Sequence, residues 1–365
     1  MKPPLAGIKI ADFSRVLAGP YATMLLADLG AQVVKVERPG VGDDTRTWGP
    51  PFDKTGKATY FLSVNRNKEG LELDLTDQAD QVRAVELINS SDVVVENFGP
   101  GGMEKYNLGY SKLIANNPKL IYCSITGFGT SEKATELPGY DLLLQGMSGL
   151  MSITGSDENN PTKVGVALVD VITGLHAVVG ILAALRARDE QGVGQKVELS
   201  LLSSTLSALV NQASAYISAG VIPKAMGNAH PSIAPYQVFD AKDKKFIVAV
   251  GSDSQFVKFA GVISPDLIGD KRFSTNQLRV ENREELNHKL SAIFLTESAE
   301  HWIQTLGKVN IPAGEINNIR EAFDLAQSLG LNSIVEIDGV KSVANPITFS
   351  KTPVEYRSAP PNLKG

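Results

Sequence analysis

Strand-like and helix-like segments alternate through the first third of the chain, and no other feature restricts its fold as strongly. Residues 7–13 read as a strand, 20–29 as a helix opened by Pro20, and 31–37 as a second strand, which together make one βαβ unit. The pattern continues with a short strand at 71–75, a helix at 77–89, a strand at 92–96, a helix at 110–116 and a strand at 120–126. Such alternation predicts an α/β fold, a Rossmann-like, doubly wound and mostly parallel sheet with helices on both faces. Helices at 140–150, 171–188 and 199–218 follow, with a strand at 195–199. Residues 220–235 are rich in Gly, Pro, Asn and Ser and mark a boundary, after which 236–251 read as a β-hairpin feeding a helix at 255–262. Further helices are expected at 283–294 and 300–308, and a strand at 332–337. The expected division is a large domain of residues 1–219 and 316–365 and a smaller α+β domain of 220–315.

A chain of 365 residues that is 43% apolar and 21% charged can bury more than one core. Its net charge of −5 speaks against a general nucleic-acid or membrane-surface role, while leaving room for local basic clusters around a phosphorylated small ligand. The single cysteine, Cys123, excludes an internal disulfide and lies in an apolar run, where it reads as a strand thiol. No apolar run reaches membrane-spanning length uninterrupted, and Met1-Lys-Pro-Pro has no signal-peptide core, so a cytoplasmic location is expected.

Asp170 is the only charge between Val164 and Leu185, a stretch of apolar and small residues. An ionised carboxylate there must cap a helix, pair with a cation or do chemistry, because burying it alone costs several kcal/mol. The local sequence leaves cap and catalyst both open. Cations recur at positions read as loops: Arg15 in the first βα turn, Arg38 after the second strand, Lys68 beside Asn67, and Lys105 after the glycine loop Asn97-Phe98-Gly99-Pro-Gly-Gly102. Together they suggest a ligand with several phosphates. The first turn lacks G-x-G-x-x-G, which disfavours nicotinamide chemistry, and no P-loop or nucleophile elbow occurs. His176, His230, His288 and His301 lack metal-ligand spacing, so no metal is expected.

Five segments in this order resemble the family III CoA-transferases (the CaiB/BaiF family), a group that also includes α-methylacyl-CoA racemase. They are Arg15-Val-Leu-Ala-Gly-Pro20, Gly30-Ala-Gln-Val-Val-Lys-Val-Glu-Arg-Pro39, Asn67-Lys68 before Leu-Glu-Leu-Asp74, Val95-Glu-Asn-Phe-Gly-Pro-Gly101, and Gly180-Ile-Leu-Ala-Ala-Leu185 leading to Gly192-Val-Gly-Gln195. The likeness covers nearly the whole chain. It implies that Asp170 is an acyl-accepting nucleophile, that CoA is held by Arg15, Arg38, Asn67, Lys68, Asn97, Phe98, Gly99 and Lys105, and that two chains interlock as a homodimer. Residues 201–204, 229–239 and 311–318 look most like the branch that uses succinyl-CoA and related dicarboxyl-CoA donors.

The implied chemistry needs no cofactor beyond the CoA thioester substrate and a carboxylic acid acceptor. It runs through an aspartyl anhydride and an aspartyl-CoA thioester, with the carboxylate expected to be ionised already at neutral pH. Backbone N–H groups of Val16, Leu17 and Ala18, and the Tyr140 hydroxyl, are the expected oxyanion and acyl contacts. A racemase of the same fold would need a histidine base where this chain has Tyr140, and a phenol is a poor substitute near neutral pH. A non-catalytic CoA-binding protein is the other alternative.

Overall fold

The computed structural model describes residues 1–363. Strands β1 (Lys9–Asp12), β2 (Gln32–Glu37), β3 (Lys68–Glu72), β4 (Val93–Glu96), β5 (Ile121–Thr126) and β6 (Lys196–Ser200) pair in parallel in the spatial order β3-β2-β1-β4-β5-β6. This order reverses direction between β1 and β4, and the crevice beyond the carboxyl ends of those two strands is the switch point where such sheets bind ligands. Both faces of the sheet are buried, as the apolar strands require. Ile10, Val33, Val93, Val95, Ile121 and Cys123 pack toward helix α1 (Ala18–Asp28) and helix Leu168–Gln191. Ala11, Val36, Val94 and Tyr122 pack the other way against Ala84, Ile88 and Leu113.

The expected elements are present, with shifts at their ends. The strand expected at 71–75 occupies Lys68–Glu72. The helix expected at 171–188 runs from Leu168 to Gln191, so Asp170 lies inside its first turn and is not its N-cap, which is Ala167. This helix is long and apolar enough to cross a membrane by composition, in contrast to the expectation for the sequence, yet its Val169, Thr173, Ala177, Ile181 and Leu185 are buried against the sheet and α1. The expected helix at 199–218 is split into Leu201–Ala208 and Val210–Ala219, where Val210 has φ of 40°.

The chain forms two compact units, residues 1–151, 163–222 and 330–365 in the first, and 152–162 with 223–329 in the second. The second unit has its own antiparallel sheet of β7 (Tyr236–Asp240), β8 (Lys245–Ala249) and β9 (Ala313–Glu315). Its core centres on Phe294, whose ring meets Phe239, Phe246, Phe259 and Trp302. In the first unit a hairpin of β10 (Ile334–Ile337) and β11 (Val340–Val343) leads into a strap tied down by Asn67, whose side chain bonds Glu355 O and Arg357 N.

Candidate active site

At the switch point the turn after β1 and the turn after β4 are locked together. Asn97 accepts from the Arg15 N–H at 2.8 Å and donates to the Arg15 carbonyl at 2.7 Å. The next residue, Val16, has φ of 68°, a left-handed conformation that costs a β-branched residue about 1–3 kcal/mol. Its N–H donates to both oxygens of the Asp43 carboxylate, at 3.2 and 3.4 Å. Asp43 is buried and is paired with Lys35 at 2.9 Å, and Thr45 donates to it through N–H and hydroxyl. Burial raises the Asp43 carboxyl, but the Lys35 ammonium and the hydrogen bonds from Lys35 and Thr45 together outweigh it and hold the group below the usual range.

This turn delivers the chain into α1 with Leu17 as N-cap and no side-chain cap. The N–H groups of Leu17, Ala18 and Gly19 find no acceptor among the described residues. Opposite stands helix Leu168–Gln191, brought close by small residues. A Cβ on Gly174 would lie 2.7 Å from the Ala18 carbonyl oxygen. Asp170 sits one helical turn before that contact, and its carboxylate has no hydrogen bond or ion pair among the described residues.

A cavity of about 500 Å³ holds these groups together, lined by Arg15, Val16, Ala18, Phe98, Tyr140 and Asp170 among others. Burial pushes the Asp170 carboxyl up to about 7, helped by the charge of Asp141. The group is therefore not the fully ionised carboxylate expected at neutral pH. Tyr60, half-buried, is raised to about 12 by burial and then by Asp170 and Asp141, so it remains a phenol. A second cavity of about 280 Å³ shares Arg15 and Phe98 with the first and adds Arg38, Leu73, Asp74, Thr76 and Tyr106. The two cavities adjoin at Arg15, whose guanidinium lies 5.4 Å from the centre of the Phe98 ring.

The expected site residues divide into those that face these cavities and those that do not. Arg15, Arg38, Phe98 and Gly99 line one or both cavities, and so do Val16, Ala18 and Tyr140. Asn97 also lines the first, with its amide spent on Arg15. Lys68 is buried, and its ammonium bonds Asp12, the Pro20 carbonyl and Asn65. Burial lowers it to about 8 against the pull of Asp12. Asn67 is likewise buried and bonded to Asp28 and the strap. Neither has an atom left for a phosphate, because the hydrogen-bonding capacity of each is used inside the protein. Lys105 is exposed on a three-residue turn, Glu104–Tyr106, and lines neither cavity. Leu17 turns its side chain into a small core with Met24 and Val64, and the Val16 N–H points to Asp43.

Sequence reading passed over Asp43, Asp44, Tyr60 and Asp141. Asp43 and Thr45 carried a signal, the Asp-x-Thr pattern of a turn in which the carboxylate accepts from the backbone two residues on. Tyr60 carried none. Cys123 is a buried strand thiol raised by burial, and His176 lines a separate cavity with Ser203 and Ser204. Among the described residues no group of three or more His, Cys, Asp or Glu stands together to hold a metal ion.

This arrangement has close counterparts. Succinyl-CoA:glutarate CoA-transferase of Mus musculus is 42% identical over 366 residues, covering 99% of this chain and 84% of that protein. Succinate--glutarate CoA-transferase of Agrobacterium fabrum is 41% identical over 373 residues, covering 99% of this chain and 93% of its own. The crystal structure of a CAIB/BAIF family protein from Brucella suis superimposes with a TM-score of 0.88 at 42% identity, covering 100% of this chain and 97% of that one. With the sequence pattern of CoA-transferase family III matching residues 5–365 as well, the chain belongs to that family.

Proposed function

We propose that this enzyme moves CoA from an acyl-CoA donor, succinyl-CoA or a similar dicarboxyl-CoA, to a carboxylic acid acceptor, with Asp170 as nucleophile and acyl carrier. The observation that carries the reading is the unpaired Asp170 carboxylate in a cavity beside the uncapped start of α1. An Asp170 oxygen attacks the thioester carbonyl, the C–S bond breaks, and CoA leaves as thiolate from a mixed anhydride. The thiolate attacks the aspartyl carbonyl, the anhydride C–O bond breaks, and the donor acid leaves as carboxylate, with an aspartyl-CoA thioester behind. An incoming carboxylate repeats the two steps in reverse and restores Asp170. The tetrahedral oxyanion is stabilised by the Ala18 N–H and the helix dipole, with the Leu17 and Gly19 N–H groups beside it. Tyr140 faces the same cavity as a hydroxyl donor.

The second cavity suits the nucleotide end of CoA, with Arg15 and Arg38 between it and the acyl end. The dicarboxylate preference is supported by relatives named for succinyl-CoA and glutarate. A homodimer is supported by the exposed apolar residues Val210, Tyr216, Ile217 and Ile222. Size-exclusion chromatography with light scattering reads that directly, a monomeric mass being the contrary result.

The test of the chemistry is trapping. After incubation with succinyl-CoA, mass spectrometry is expected to find CoA on Asp170, and hydroxylamine to convert that residue to a hydroxamate. Full transfer activity in Asp170→Ala would sink the assignment. A panel of acyl-CoA donors against mono- and dicarboxylates, read by chromatography of CoA esters, identifies the substrates.

A further inference from the structure

Arg15 and Arg38, from turns after two different strands, converge on one carboxylate. Asp44 Oδ1 lies 3.0 Å from Arg38 Nη2, and Asp44 Oδ2 lies 3.5 Å from Arg15 Nη1. All three side chains are open to solvent, at 39% for Arg15, 55% for Arg38 and 42% for Asp44. The backbone beneath Asp44 is fixed independently: Asp43 accepts from Thr45, Thr47 donates its N–H and hydroxyl to the Asp44 carbonyl, and Arg46 pairs with Glu37 at 2.7 Å. The Asp44 side chain makes no other hydrogen bond or ion pair among the described residues. It can rotate away and lose only two exposed ion pairs, which are individually weak.

A diphosphate between the same arginines brings more charge and more acceptor oxygens than one carboxylate. We propose that Asp44 is an internal competitor for the phosphates of CoA. It occupies Arg15 and Arg38 while the site is empty and swings out as the ligand's diphosphate arrives. Its effect is to lower CoA affinity, which speeds release of the product thioester. The proposal rests on the reading of these cavities as a CoA site.

Calorimetric titration with CoA tests it on the intact protein. Asp44→Asn is expected to bind CoA about three- to tenfold tighter than wild type, the range two weak exposed ion pairs set. Pantetheine, which lacks the phosphates, should bind both proteins equally. Glu86→Gln is the charge control, because Glu86 is exposed on helix Gln78–Asn89 and lines neither cavity, and it should change CoA affinity less than about twofold. Equal or weaker CoA binding by Asp44→Asn overturns the proposal, as does an equal gain in Glu86→Gln or an equal gain for pantetheine. If wild type binds no CoA at all, the CoA-site reading falls and takes the proposal with it. If wild type binds CoA and Asp44→Asn gains nothing, only the role of Asp44 falls.

Discussion

Asp141 starts the helix that carries Asp170, its Oδ1 accepting the Val169 N–H at 2.9 Å and the Asp170 N–H at 3.3 Å. One carboxylate thus fixes the backbone at Asp170 and, through its charge, adds to the burial that raises the affinity of Asp170 for a proton. Capping, one of the alternatives open in the sequence, falls to Asp141, which serves the helix end and leaves the Asp170 carboxylate without a hydrogen-bond partner among the described residues.

With Asp170 raised to about 7, transfer at low substrate should rise with pH across the neutral range, since only the ionised form attacks. Asp141→Asn, which can still accept the two N–H bonds, should move the midpoint of the kcat/KM profile to lower pH. An unmoved midpoint would contradict the charge coupling. The stability sign is opposite to that of a salt-bridged aspartate. Folded Asp170 holds its proton more tightly than the unfolded chain does, so its contribution weakens as pH rises from near 4 through 7. Asp170→Asn should remove that slope in urea melts.

Lys68 and Arg38 should separate by what each mutation damages. Lys68→Met leaves Asp12 as a buried, under-compensated charge and should cost about 3–5 kcal/mol in denaturant unfolding. CoA affinity of the protein that remains folded should hardly change. Arg38→Gln should do the reverse, with stability within about 0.5 kcal/mol and a clearly weaker CoA complex.

Asn97→Ala should act on catalysis through Arg15. The Arg15 peptide groups lose both partners, so Val16 can relax from its left-handed conformation and the start of α1 can drift from Asp170. A fall in kcat of at least about tenfold is expected, corresponding to about 1.4 kcal/mol of lost transition-state stabilisation. Asn97→Asp, which keeps one acceptor for the Arg15 N–H, should recover part of it. Unchanged kcat in Asn97→Ala would show that the clamp has no catalytic consequence.

Gly174→Ala pits helix propensity against packing. Alanine gains about 1 kcal/mol in a helix interior, but its Cβ meets backbone at Ala18, which cannot rotate aside. Net destabilisation by about 1–3 kcal/mol is expected in thermal or urea melts. Loss of kcat should accompany it, because the displaced atoms belong to the same turn as the proposed oxyanion donors.

Alternation of apolar strands with amphipathic or small-residue helices was enough to determine the parallel sheet, because a βαβ chain of this composition has few ways to cover both faces. The isolated charge at Asp170 was likewise visible, since a carboxylate inside an apolar run is costly wherever it folds. Lys68 and Arg38 looked alike in the sequence, each a cation beside a polar or charged residue near a strand. Tertiary structure set them apart: one ammonium is enclosed by Asp12, Asn65 and a carbonyl, while one guanidinium faces an open cavity. The same holds for Asp43, Asp44 and Tyr60, whose importance depends on partners 27 to 110 residues away, such as Val16, Arg15 and Asp170. Local sequence determines which backbone states and which faces are favourable. Which charge meets which is decided only when the strands are placed side by side, because burial and electrostatics depend on distance in space and not along the chain.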